Sequence, residues 1–200
     1  KPLDFLTPAS FDNAVTTVLA LGGSTNAIVH LIAMAKRAGI GLTLDRFDQL
    51  ARRTPVLANL RPGGKFLMED FFYAGGLRAF LTRLTDLLDL SQNTCVGKTL
   101  GDNIAGAVVH NDEVILPRDK PLLPNDGLAI LHGNLAPDGA VIKPSACEPR
   151  FLKHTGRALV FDSYPEMKLA VDDENLDVTA DDILVLRNAG PKGGPGMPEW

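Results

Sequence analysis

Two hundred residues are enough for one large domain or two small ones with a real core. Hydrophobic residues make up 45% of the chain and charged residues 22%, as in an ordinary globular protein. A net charge of −4 and a pI near 5.5 argue against nucleic acid as a partner, and no run of about eighteen apolar residues could span a membrane.

The N-terminus lacks the layout of a signal peptide and has no initiator Met, and the chain stops inside a Gly/Pro-rich stretch. A piece of a longer, cytoplasmic protein is expected. Thr7 followed by Pro8 predicts a helix start, an N-cap hydroxyl with proline in the first turn. Phe11, Val15, Val18 and Leu19 keep helical spacing as far as Gly22 and Gly23, which stop the helix. Ser24, Thr25 and Asn26 then cap a second helix with the apolar stripe Ile28, Leu31, Ile32 and Ala35. This corner could bind an anion at the helix N-terminus, or it is only a capped turn. His30, one turn into the helix, reads as a packed or solvent-facing residue. Thr43 caps a third helix running to about Arg53, with Phe47 and Leu50 inward.

Residues 55–60 read as a short buried strand, 61–64 as a turn and 68–73 as a helical segment broken at Gly75 and Gly76. Leu77, Phe80, Leu81, Leu84, Leu87 and Leu88 then predict the strongest amphipathic helix of the chain. At Ser91–Thr94 the period changes. Short strands are expected at 107–110, 114–116, 128–132, 139–143, 157–161 and 183–187, with a tight hairpin at Asn111 and Asp112 and a helix from Pro165 to about Asp172. The fold class expected is α/β followed by mostly β, with a boundary at 93/94 and a barrel- or sandwich-like second part.

The final stretch, Asn188-Ala-Gly-Pro-Lys-Gly-Gly-Pro-Gly-Met-Pro-Glu199-Trp200, combines four glycines and three prolines, so it is shaped rather than free. It is either a surface turn or a rigid loop that holds Glu199 out as a metal ligand. Cys95 and Cys147 stand 52 residues apart with no CxxC spacing. They are expected to be reduced structural thiols, since two isolated cysteines build neither a zinc nor an iron–sulfur site.

Four segments, in order along the whole chain, resemble the dihydroxy-acid dehydratase family, which includes the aldonate and phosphogluconate dehydratases. They are Gly22-Gly-Ser-Thr-Asn26 with His30, Gly97-Lys-Thr-Leu-Gly-Asp-Asn103, Gly133-Asn-Leu-Ala-Pro-Asp-Gly139, and Gly190-Pro-Lys-Gly-Gly-Pro-Gly-Met-Pro-Glu199. The strand Arg157-Ala-Leu-Val-Phe-Asp-Ser163 fits the same pattern. The Met197-Pro-Glu-Trp200 ending is more like the aldonate branch. The resemblance implies removal of water from a 2,3-dihydroxy acid to give an enol and then a 2-keto acid. It also implies an iron–sulfur cluster as Lewis acid and a divalent ion, usually magnesium, with Glu199 among the magnesium ligands.

On this resemblance, residues 1–93 are the C-terminal part of the cluster-bearing α/β domain, and 94–200 begin a swivelling β-barrel-like domain. The cluster cysteines, an Asp and a carbamylated Lys fall upstream of Lys1, and the serine base beyond Trp200. No catalytic residue is expected in this span, and the chain alone should be inactive. Ser24, Thr25 and Asn26 are candidates for substrate contact, the partner is a small hydroxy acid, and a homo-oligomer is expected. A different class of function, a non-catalytic β-module binding an anion or a partner, is the alternative.

Overall fold

Local capping decides where the first and third helices begin. In the computed structural model, which describes residues 1–125 and 127–189, α1 spans Pro8–Ala20 and starts at Thr7. The Thr7 hydroxyl accepts from the Ser10 N–H at 3.0 Å, and the Ser10 hydroxyl accepts from the Thr7 N–H at 2.9 Å. Two orphan donors of the helix start are thereby satisfied reciprocally. Helix α2, Asn26–Arg37, and α3, Leu44–Ala51, follow the expected stripes. Thr43 caps α3 by accepting from the Arg46 N–H. Phe11, Val15, Leu19, Ile28, Leu31, Ala35, Phe47 and Leu50 are buried together in one core cluster.

A second cluster gathers Leu57, Ala58, Phe71, Phe80, Leu84, Leu88, Ile104, Val114 and Ile115. Residues 55–58 are buried and extended as expected, but they are held by single bridges, Val56 to Leu123 and Ala58 to Ile115, and not by a regular strand. Helix α4 is Met68–Tyr73 and α5 is Gly76–Thr82. Between them Gly75 has φ +120°, and a Cβ there would lie 2.5 Å from Ala79 Cβ and 2.6 Å from the Val108 carbonyl oxygen. Only glycine fits that approach.

The long helix expected from Leu77 to Leu88 stops at Thr82. Arg83, Leu84 and Leu87 donate to Phe80, Leu81 and Leu84, three residues back, so the chain tightens into successive turns. The Thr82 hydroxyl also donates to the Ala79 carbonyl at 2.6 Å, a local bond that competes with the helical ladder. The stripe still buries Phe80, Leu81, Leu84 and Leu88, because turns of about three residues return the same face to the core.

The hairpin expected at Asn111 and Asp112 is likewise a compact turn. Asn111 Oδ1 accepts from the Glu113 N–H at 2.8 Å, and the Asn111 carbonyl accepts from the Ile115 N–H. The segment then pairs with residues 57–59 instead of with 107–110: Asn59 donates to Val114 at 2.9 Å and Leu116 to Leu57 at 2.8 Å. Helix α6, Leu100–Ile104, was not anticipated. Its signal is the Thr99/Asp102 capping box, in which Thr99 Oγ1 accepts from the Asp102 N–H and Asp102 Oδ2 from the Thr99 N–H. Strands β1, Ala129–Leu131, and β2, Ala140–Ile142, form an antiparallel pair.

These elements belong to one compact unit, Lys1–Cys147, and a second begins at Glu148. The composition change at 91–94 lies within the first unit. There the Asn13 amide donates to the Asp89 carbonyl and its oxygen accepts from the Asp89 N–H, both at 2.8 Å.

The second unit is built on β3, Ala158–Phe161, α7, Tyr164–Val171, and β4, Ile183–Leu186. The strands pair in parallel, Phe161 opposite Leu186, which requires the crossover that α7 supplies. The fold is thus mixed α and β. Among the described residues the sheets are two-stranded and none closes into a barrel.

Candidate functional site

The corner between α1 and α2 begins with a Schellman termination. Gly22, at φ +61°, donates to the Leu19 carbonyl at 3.0 Å, and Gly23 donates to Val18 at 2.9 Å. The next turn consumes the donors at the start of α2. Ser24 Oγ accepts from the Asn26 N–H at 3.2 Å, the Ser24 carbonyl from Ala27 at 3.1 Å, and the Thr25 carbonyl from Ile28 at 3.2 Å. The N–H groups of residues 26–28, three of those that would face an anion, are therefore already engaged. Ser24 is exposed, and Thr25 and Asn26 are half-buried. His30 is exposed, in line with the solvent-facing reading.

Lys143, just past β2, donates its ammonium to the Gly22 carbonyl across 121 residues of chain. Burial pushes this ammonium below the usual lysine range. Its position suits the negative end of α1, where the last carbonyls lack helical partners. Lys143, Ser145, Gly63, Gly22 and Val56 line a cleft of about 10 Å³, room for a single water. Sequence reasoning missed Lys143, since nothing in its neighbours announces a contact with residue 22.

In the second unit Arg157 grips four acceptor atoms, one of them Asp182 Oδ1 at 3.2 Å from its Nε. It reaches Asp177 Oδ2 at 2.7 Å, Asp182 Oδ2 at 2.9 Å and the Asp177 carbonyl at 2.6 Å. The Arg157 guanidinium and the Thr179 N–H hold the Asp182 carboxyl down at about 2. Asp182 and Asp177 in turn push the Arg157 guanidinium above its ordinary value.

Glu199, with the stretch 190–200 that carries it, lies outside the described residues. Among the described residues no three His, Cys, Asp or Glu side chains come together to hold a metal ion. Cys95 is exposed and Cys147 half-buried, and neither is in a disulfide. The described residues therefore do not fit an iron–sulfur cluster or a magnesium ion. No helix among them is long and apolar enough to cross a membrane.

Two family models match the chain. The dihydroxy-acid/6-phosphogluconate dehydratase N-terminal model covers residues 1–103, and the corresponding C-terminal model covers 113–200. The chain is 48% identical over 201 residues to an L-arabinonate dehydratase of Rhizobium leguminosarum bv. trifolii, and 48% identical over 203 residues to a 6-deoxy-6-sulfo-D-gluconate dehydratase of Pseudomonas putida. It is 47% identical over 201 residues to a dihydroxy-acid dehydratase of Caldicellulosiruptor bescii. Each match takes in 100% of this chain and 35 to 36% of the relative, so the chain spans about a third of the length of these curated relatives. With both models matched in order along its length, the chain belongs to the dihydroxy-acid/6-phosphogluconate dehydratase family.

Proposed function

We propose that this chain is a section of a hydro-lyase that removes water from a 2,3-dihydroxy carboxylic acid, a sugar acid or a branched dihydroxy acid, to give a 2-keto acid. The observation that carries the reading is identity of 47 to 48% across the whole chain to three relatives named as dehydratases of hydroxy acids. Two of those names are of sugar-acid dehydratases, which agrees with the preference drawn from Met197-Pro-Glu-Trp200. The alignment of both family models favours this over a non-catalytic binding module.

In the whole protein an iron–sulfur cluster and magnesium would supply Lewis-acid stabilisation of the departing hydroxyl and hold the substrate. The part proposed for this chain is narrower. Glu199 offers magnesium a hard oxygen ligand at the end of the Gly/Pro loop. The Ser24 and Thr25 hydroxyls and the Asn26 amide are proposed as substrate contacts through their side chains, since the N–H groups of residues 26–28 are engaged. The boundary at 93/94 and a barrel-like second domain are proposed for the whole enzyme, as are a homo-oligomeric state and a cytoplasmic location. The chain alone, with no catalytic residue assigned, should not dehydrate any of these acids.

The test is Glu199→Gln in the full-length enzyme. The amide keeps the size of the side chain and removes the charge a hard cation needs. Turnover should fall about a hundredfold, roughly 2.7 kcal/mol, and magnesium should bind more weakly, with an unchanged melting temperature. Wild-type values for both turnover and magnesium affinity would remove Glu199 from the site. Ser24→Ala gives the parallel test of the corner: a fall in kcat/KM larger than its small cost in stability supports substrate contact.

A further inference from the structure

The Gly22 carbonyl lies past the end of the α1 ladder, and its partner comes from far along the chain. The Gly22 and Gly23 N–H groups turn back to Leu19 and Val18, and the Ala20 carbonyl accepts from the Leu57 N–H at 2.8 Å. The Gly22 carbonyl instead accepts from the Lys143 ammonium. Both ends of that bond are held. Lys143 follows directly on β2, where Ile142 pairs with Ala129, and its carbonyl accepts from the Ala146 N–H at 3.0 Å in the short 3-10 turn Pro144–Ala146. Gly22 is itself close-packed, since a Cβ there would lie 3.2 Å from Val56 Cγ1. Burial is the single cause that lowers the ammonium, with no carboxylate among the described residues to offset it. A cation at this place therefore costs stability that an apolar side chain of the same length would not.

From this contact we infer that Lys143 is the positioning residue for the corner Gly22–Asn26: by fixing the Gly22 carbonyl it sets the direction in which the chain leaves α1 and presents the Ser24, Thr25 and Asn26 side chains. The inference deepens the reading of those three residues as substrate contacts proposed above and rests on it. The bonds within the corner, from the Asn26 N–H to Ser24 Oγ and from the Ala27 N–H to the Ser24 carbonyl, are local. They fix its internal shape and leave its direction to contacts from outside. Lys143 supplies such a contact from the β1–β2 pair, 121 residues further on. The cleft of about 10 Å³ that Lys143 shares with Ser145 and Gly22 has room for a single water and none for a carboxylate. The ammonium thus serves the backbone of the corner and acts on a substrate through it. The split expected of a positioning residue follows: a large effect on the corner and none that lowers melting.

The experiment uses the full-length enzyme. Lys143→Met removes the donor at nearly constant length, and Lys143→Gln keeps a donor without the charge. Amide exchange, followed by mass spectrometry, should rise about tenfold in segment 20–29 of Lys143→Met, while α3 and the β1–β2 pair keep wild-type protection. Misplacement of the corner should lower kcat/KM about tenfold, and Lys143→Gln should recover part of both losses. Melting should be no lower than in the wild type, because an unpaired buried charge has gone. Adding Ser24→Ala to Lys143→Met should lower kcat/KM no further than the larger single effect, since both act through one contact. Wild-type exchange in 20–29 would overturn the inference, as would a rise shared equally by the β1–β2 pair, or losses that multiply in the double variant. A marked fall in melting, or failure of Lys143→Met to fold, would make the residue a structural one and overturn it as well. If Ser24→Ala has wild-type kcat/KM while Lys143→Met still opens 20–29, only the substrate reading of Ser24 fails.

Discussion

The two compact units are held together by different physics. In Lys1–Cys147, side chains such as Val15, Leu50, Leu57, Phe80 and Ile115 are completely buried, in two clusters to both of which α1 contributes. Burial of one such side chain stabilises by about 1.5–3 kcal/mol. From Glu148 onward Phe161 is the single buried residue among those described, while Val160 and Leu184 on the strands and Leu169 on α7 remain about half exposed or more. That unit carries instead a set of oriented ion pairs: Arg157 across Asp177 and Asp182, Arg150 between Glu148 and Asp181, and Arg187 on Asp162. A unit too small to exclude water gains little from apolar burial and relies on oriented hydrogen bonds. The two should therefore fail under different stresses.

The largest effect should come from the core of the first unit. Phe80 is fully buried and packs edge-on against Phe71, with ring centroids 5.6 Å apart. Phe80→Ala should cost about 3–5 kcal/mol in denaturant unfolding of the first unit. A cost under about 1 kcal/mol would mean that the cluster is not a cooperative core. Next is Gly75→Ala, where the backbone term is about 1–2 kcal/mol and the overlap with Ala79 and Val108 adds about 1–3 kcal/mol. The same denaturation curve measures it.

Acid should strike the other unit. The Asp182 carboxyl sits at about 2, below the range near 4 of an unfolded carboxylate. Its contribution is present above about pH 4 and is lost as the pH falls from there toward 2, because the unfolded chain takes up the proton first. Amide exchange should show the Arg157–Asp182 clip opening over that window while α1 and α5 stay protected. Asp182→Asn should flatten the response. Earlier loss of protection in α1 would reverse the comparison.

The smallest effect, and the one that sharpens the boundary, is limited proteolysis of the 200-residue chain. Segment 89–92 is tied to α1 through Asn13 and through the Thr7 hydroxyl, which donates to Gln92 Oε1. On that geometry the first cut should fall at Lys153 or nearby, past Cys147. A first cut within 89–96 would instead place the working boundary at 93/94.

Much of the first unit was legible because its signals are local. Thr7 with Pro8, Gly22 with Gly23 and Thr43 each place a helix end through contacts within five residues, and the helical stripes name Phe11, Ile28 and Phe47 as core. Family membership was legible for the related reason that motifs occur in order along one dimension. The corner at Ser24 was visible as a corner. That the Asn26, Ala27 and Ile28 donors are already taken was not, because that depends on which acceptor each N–H meets.

Tertiary structure decided the rest. An amphipathic stripe says which face is buried, and both a helix and a chain of tight turns bury Phe80 and Leu84, so the stop at Thr82 is invisible to spacing alone. A short apolar run such as 114–116 has no means of naming its partner. Only closure of the chain sets Leu116 on Leu57, Lys143 on Gly22 and β3 beside β4. Such pairings gain their free energy after distant segments meet, so they leave no trace in the residues on either side.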